Sequence, residues 1–225
     1  MSKNEIVKAL KLRLEPDVDT QTILDGQSRI CNWLYNSLLA TAHTLRHEFI
    51  QTQQPELATT VYSERGLRNL VPQMKEEYPF LKVVHSSVLK NSALRLSMAI
   101  QTHQKAKKNT EQRRVGWPKF RSWKASWFSL LYDEPNKGFK IRGDQLTLSL
   151  GMGEDRKQRA VSMRIQDAQL LEGKSIRNLR IVRENGFFFA LFTVHTILPK
   201  TKVISRVIAL DPNHKNLCYG VDNHK

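Results

Sequence analysis

The sequence predicts an α+β fold, a small β-barrel interrupted after its first strand by a long helical insertion. Three observations carry this prediction. The chain opens on a two-residue apolar alternation. It switches to three- and four-residue spacing from about residue 20 to residue 104, and later returns to alternation around two tight-turn signals.

The opening strand is "VKALKLRLEP". Leu10, Leu12 and Leu14 share one face and Ala9, Lys11 and Arg13 the other, which predicts a half-buried strand over 5–14 ended by Pro16. Cys31, Leu34, Leu38, Ala42, Leu45 and Phe49 then recur at helical spacing, so a long amphipathic helix is expected over about 20–50. "QTQQPELATT" reads as a loop or helix junction, and "SERGLRNLVPQMKEEYPFLK" as a short helix broken by prolines. Ser86 or Ser87 is the expected cap of a further helix whose Leu89, Ala93, Leu96 and Ile100 line one face.

Beyond Trp127 the pattern is β. "GFKIRGDQLTLSL" predicts a hairpin: Phe139 and Ile141, a Gly143-Asp144 turn, then Leu146, Leu148 and Leu150. "IRNLRIVRENGFFFALFTVH" predicts a second. Leu179, Ile181 and Arg183 alternate, Asn185-Gly186 supplies a type I′ turn, and Phe187, Phe189 and Leu191 return. Residues 1–16 and 125–200 would thus form the barrel and 17–104 the helical insertion, with 105–124 as a linker. Residues 203–225 read as a separate strand, turn and strand.

Charge is the strongest global signal. The chain has 225 residues, 40% of them hydrophobic, and carries 36 Lys+Arg against 21 Asp+Glu, a net charge of +15. Such an excess repels itself in a compact state, and a polyanionic partner is the usual physical reason to tolerate it. No apolar run approaches the length of a membrane span, and "MSKNEIVKALKLRLEP" has no signal-peptide core. Cys31 and Cys218 cannot make a four-ligand zinc site. A reduced, cytoplasmic protein with no membrane partner is the expectation.

The charge is concentrated. "QKAKKNTEQRRVGWPKFRSWK" holds Lys105, Lys107, Lys108, Arg113, Arg114, Lys119, Arg121 and Lys124 against Glu111 alone, with Trp117, Phe120 and Trp123 interleaved. A groove that holds phosphates and stacks bases needs this mixture, so these basic residues and Trp117 are candidate nucleic-acid contacts. The competing reading is a linker whose aromatics anchor to the core while its charges face water.

In order, these segments resemble the TnpB family of transposon-encoded RNA-guided nucleases and the compact type V CRISPR effectors. "RICNWLYNSLL" is similar to the family's first-helix pattern, and "EYPFLKVVHSSVLKNSALRLSMAI" to its Pro-aromatic-Leu-Lys entry into a capped helix. "GWPKFRSWK" resembles its Gly-aromatic-Pro-basic signature, and "GFKIRGDQLTLSLG" and "NGFFFALFTV" its barrel strands. "VIALDPNHKNL" resembles the first motif of its RuvC nuclease domain. The resemblance implies a wedge-type barrel, a helical recognition insertion, and the first hairpin of an RNase H-like (RuvC) domain. It also implies a guide RNA that reads target double-stranded DNA by base pairing, beside a short flanking motif read by protein.

On residues alone, Asp211 before Pro212 is most often a turn residue. The resemblance makes it the first RuvC carboxylate, a ligand of catalytic Mg2+, with Asn213 where the family usually has Gly. Two-metal phosphodiester hydrolysis needs several converging carboxylates. The resemblance puts the others, a Glu and an Asp, far downstream of Asp211. The expectation is therefore RNA-guided DNA binding, with cleavage only in a longer form that completes the site. The alternative is a basic DNA- or RNA-binding regulatory module without guide programming. Monomer and dimer stay open.

Overall fold

Alternation at the start of the chain builds β1 (Glu5–Glu15), in which Leu12 and Leu14 are buried while Lys11 and Arg13 are exposed. The structure is a computed structural model, and it describes residues 5–108, 115–122, 127–153, 155, 157–197, 208–211 and 219–222. After Pro16 the chain enters α1 (Val18–Thr52), where the Asp17 carboxylate accepts from the Thr20 backbone N–H at 2.7 Å and so satisfies one of the free donors of the first turn. The helical spacing buries Leu24, Leu34, Leu38 and Leu39 completely, each contributing about 2 kcal/mol.

Gln53 ends α1 in the left-handed conformation, and Pro55 starts α2 (Pro55–Tyr62). The stretch read as a loop or junction is therefore helical from Pro55 onward, because proline in the first turn sacrifices no helical hydrogen bond. The same logic divides the next segment into α3 (Gly66–Asn69), α4 (Val71–Glu77, with Pro72 in its first turn) and a 3-10 turn at Pro79–Val83.

The long helix that follows, α5 (Ser86–Lys108), corrects two expectations. Ser86 and Ser87 lie inside its first turn. Its cap is His85, whose carbonyl accepts from the Val88 and Leu89 N–H groups and whose Nδ1 accepts from the Ser87 N–H at 3.3 Å. The helix also continues past 104, so Lys105, Lys107 and Lys108 belong to it rather than to a linker.

The strands β2 (Ser129–Tyr132), β3 (Phe139–Arg142), β4 (Gln145–Met152), β5 (Gln158–Ile165), β6 (Ser175–Glu184) and β7 (Phe187–Ile197) join β1 in one antiparallel sheet. Its order is β2-β6-β7-β1-β5-β4-β3. The sheet curls into a half-barrel with β2 and β3 at its ends, the observed form of the small β-barrel expected from the sequence. Both predicted hairpins form. Gly143 and the Asn185-Gly186 pair take positive φ, as such turns require.

The turn at Asn185-Gly186 fixes which residues of the second hairpin face the core. A two-residue turn opposes Glu184 to Phe187, so Arg183 faces Phe188, Ile181 faces Ala190 and Leu179 faces Phe192. Phe188, Ala190 and Phe192 are therefore buried, and Phe187 is 48% exposed. On the outer face Arg13 sits 4.0 Å over the Phe187 ring and Lys11 sits 4.4 Å over that of Phe189.

Helices and sheet share one hydrophobic core, in which Leu34, Leu38, Leu89 and Leu96 join Leu130, Leu148, Ile181 and Phe192. Val7–Thr196 accordingly forms one compact unit. The second unit contains a hairpin of β8 (Ile208–Asp211) and β9 (Tyr219–Asp222), with Asp211 opposite Tyr219 and Ile208 opposite Asp222. These are the two strands expected there; the turn read between them lies outside the described residues.

Candidate nucleic-acid interface

The long helix α1 has two faces. Its apolar stripe enters the core. A second stripe (Asp25, Ser28, Arg29, Asn32, Asn36) follows three- and four-residue steps and lines a cleft of about 710 Å3. Trp33, Trp127 and Phe128 supply flat aromatic walls, and Arg121 and Arg183 complete the lining.

The segment 115–122 lies beside α1 without regular secondary structure and is pinned at both ends. His103 Nδ1 and the Val115 carbonyl are 2.7 Å apart. At the other end Asn36 binds the backbone of Arg121 twice. Its amide donates to the Arg121 carbonyl at 2.9 Å and its oxygen accepts from the Arg121 N–H at 2.8 Å. Between these pins Trp117 packs against His43, His103 and the Arg46 guanidinium, the last 4.7 Å from its ring. The Trp117 Nε1 is buried with no hydrogen-bond partner.

Arg121 is held more tightly than a free phosphate ligand would be. Its guanidinium lies 3.4 Å from the Trp127 ring centre and 3.5 Å from that of Tyr35, and donates to Asn32 Oδ1 at 3.2 Å. Burial brings it down to about 10, so it remains charged at neutral pH. Ser28 and Asn32 both donate to the Trp127 carbonyl, at 3.1 and 2.8 Å, and fix the far wall. Arg183 reaches the cleft from β6 and is clamped by both oxygens of Asp25, at 2.7 and 2.9 Å. Arg29 is exposed and makes no ion pair among the described residues.

The cleft thus presents three guanidiniums against one carboxylate, beside aromatic planes. It can accept an anion together with a flat ring. Nothing in it supplies a nucleophile paired with a base.

The predicted contacts divide. Trp117 and Arg121 turn toward α1, which matches the anchoring reading of this segment, with Arg121 still at the cleft edge. Lys105, Lys107 and Lys119 are exposed. Arg113, Arg114 and Lys124, and the side chain of Lys108, lie outside the described residues. The sequence reading did not pick out Arg29, Asn32, Trp127 and Arg183 as site residues. The signal for the first two was the polar repeat on α1. Trp127 and Arg183 had no local signal, since their place depends on contacts with residues about a hundred positions or more away.

Asp211 ends β8, and Asp222 stands at the opposite end of the hairpin ladder, three positions away. At about 3.3 Å per residue they are separated by roughly 10 Å along the strand. Among the described residues no three His, Cys, Asp or Glu converge on a point. Asp211 alone does not fit a two-metal centre, and no chemical step is assigned to it. Among the described residues no helix is long and apolar enough to cross a membrane.

A scan against protein-family models finds no family that matches the chain, and a search of the curated proteins finds no similar sequence.

Proposed function

We propose that this chain binds nucleic acid as an RNA-guided DNA-binding protein of the TnpB and type V effector kind. Guide RNA and target double-stranded DNA with a short flanking motif are its partners, and the cytoplasm is its compartment. The observation that carries the reading is the cleft beside α1, which Arg29, Arg121 and Arg183 line together with Trp33, Trp127 and Phe128. Phosphate charge and base planes are the complement of such a wall. A net charge of +15 supports the same class of partner, and so do the exposed Lys105, Lys107 and Lys119 beside the cleft segment.

In this reading the curled sheet corresponds to a wedge domain and α1–α5 to a recognition insertion. The β8–β9 hairpin is the opening of a RuvC-type domain. Mg2+ enters only where further carboxylates complete the site around Asp211.

Sequencing the RNA that co-purifies with the chain is the test. The expected result is one discrete RNA, with the bound DNA changing when its guide segment is changed. Random cellular fragments, bound with the same salt dependence, would instead indicate a basic nucleic-acid-binding module without guide programming.

A further inference from the structure

Elsewhere on Val7–Thr196 a second basic site is assembled from three short stretches, none of which carries a large net positive charge by itself. Arg65 and Arg68 flank and enter α3, Lys75 lies on α4, and Ser86 and Lys90 stand one turn apart at the start of α5. Together with Asn69 they line a concavity of about 480 Å3 that contains no carboxylate.

Among the described residues a few cations are paired, Lys11 with Glu184, Arg164 with Glu15 and Asp144, and Arg183 with Asp25. Arg65, Arg68, Lys75 and Lys90 form no ion pair among the described residues. Glu76, which acts on Lys75 through space, is itself bound by Lys82 at 3.0 Å. The cost of holding these cations together is visible at Lys75, where burial first, then Lys90 and Lys82, push the ammonium below its ordinary value.

Lys75 Nζ donates to Ser86 Oγ at 2.8 Å, so that hydroxyl accepts from the lysine and keeps its own hydrogen to donate. Two guanidiniums, two ammoniums and a hydroxyl at the start of a 23-residue helix converge from different elements. A planar carboxylate is gripped from one edge by one arginine fork, whereas a tetrahedral phosphate accepts donors from several directions.

We propose that the Arg65–Arg68–Lys75–Lys90 concavity is a phosphate site that seats a backbone phosphodiester of the bound nucleic acid. It acts as an anchor separate from the aromatic cleft. The assignment rests on the nucleic-acid reading above and adds a second point of attachment to it.

The test compares the full chain with Arg65→Gln/Lys90→Gln and with Lys140→Gln/Lys157→Gln, an equal loss of charge at exposed lysines outside the pocket. All four positions are exposed, and unchanged thermal midpoints check that the variants fold. Fluorescence anisotropy measures affinity for a labelled DNA duplex and a labelled single-stranded RNA between 50 and 200 mM salt, concentrations over which phosphate contacts of this kind dominate.

On the polymer that uses the pocket, loss of this one phosphate contact is expected to flatten the log K against log salt slope by roughly 0.9 unit on duplex or roughly 0.7 on single strand. The control pair is expected to change it by less than roughly half a unit. Equal slopes for the two variants on both polymers overturn the assignment.

If the parent chain binds neither polymer, the nucleic-acid reading fails and so does the backbone assignment. Inorganic phosphate, followed at the amide signals of Ser86 and Ser87, then separates the causes. Shifts lost in the pocket variant mark a site for a free phosphate group, and no shift removes the pocket altogether.

Discussion

Arg121→Ala removes a guanidinium that touches three side chains at once, and its cost can be worked from the geometry. The stacking on Trp127 at 3.4 Å and on Tyr35 at 3.5 Å contributes about 1 kcal/mol each in a partly buried setting. The charge-assisted bond to Asn32 at 3.2 Å adds about 1.5 kcal/mol. Relief of the buried guanidinium's desolvation offsets part of this, leaving a net loss of about 2 kcal/mol. For a domain of this size that corresponds to a fall of about 4–8 °C in thermal midpoint. Urea denaturation is expected to show a lower midpoint with an unchanged m value, because the folded surface is not altered. Arg121→Lys keeps the charge and loses the flat face, so it is expected to recover less than half the loss. Stability within about 0.5 kcal/mol of the parent, combined with a salt slope for nucleic acid lower by about one unit, would refute the clamp and return Arg121 to the phosphate-contact role that its sequence context suggested.

Gly151→Ala is expected to destabilise by roughly 3 kcal/mol, since a Cβ there would lie 1.9 Å from the Lys82 carbonyl oxygen in the 3-10 turn beneath β4. Gly186→Ala meets no atom within 4 Å and is expected to cost only the strain of positive φ, about 1 kcal/mol; equal chemical-denaturation midpoints for the two would contradict this packing. Burial holds the His85 imidazole below its ordinary value, so the unfolded chain binds the proton more readily than the folded one. Stability is therefore expected to be full above the unfolded value of 6.5 and to fall as pH drops below it, with a smaller fall in His85→Asn, which keeps a capping oxygen; parallel midpoint-versus-pH curves would count against it. Asp211→Ala is expected to leave the chain's affinity for nucleic acid unchanged in the same anisotropy assay, and a loss of more than about tenfold would give the residue a binding role.

Much of the local structure was legible in the sequence because it depends on short-range rules. The two-residue period of β1, the helical spacing of α1 and α5 and the Asn185-Gly186 turn each follow from steric and packing preferences over a few residues. The Asn185-Gly186 turn was read correctly, and the register it sets buries Phe188 and leaves Phe187 exposed. At α5 the serine signal was real, yet His85 stands one position earlier with a ring nitrogen able to do the same work. The basic aromatic segment posed a different problem, because charge and aromaticity in sequence do not say which way a side chain turns.

By itself the sequence determined the periodicities, the turns, the large positive charge and the mixed α and β character. Each of these is a property of neighbouring residues or of simple composition. Only the tertiary structure decided that β1 lies between β7 and β5 in a half-open sheet, and that helices and strands share one core. It also decided that Asn36 draws the backbone of Arg121 onto α1 across 85 positions of sequence, and that Arg65, Lys75 and Lys90 meet in one concavity. These are long-range pairings whose free energy comes from burying apolar surface and satisfying polar groups between distant segments, and no local pattern encodes which segments will meet.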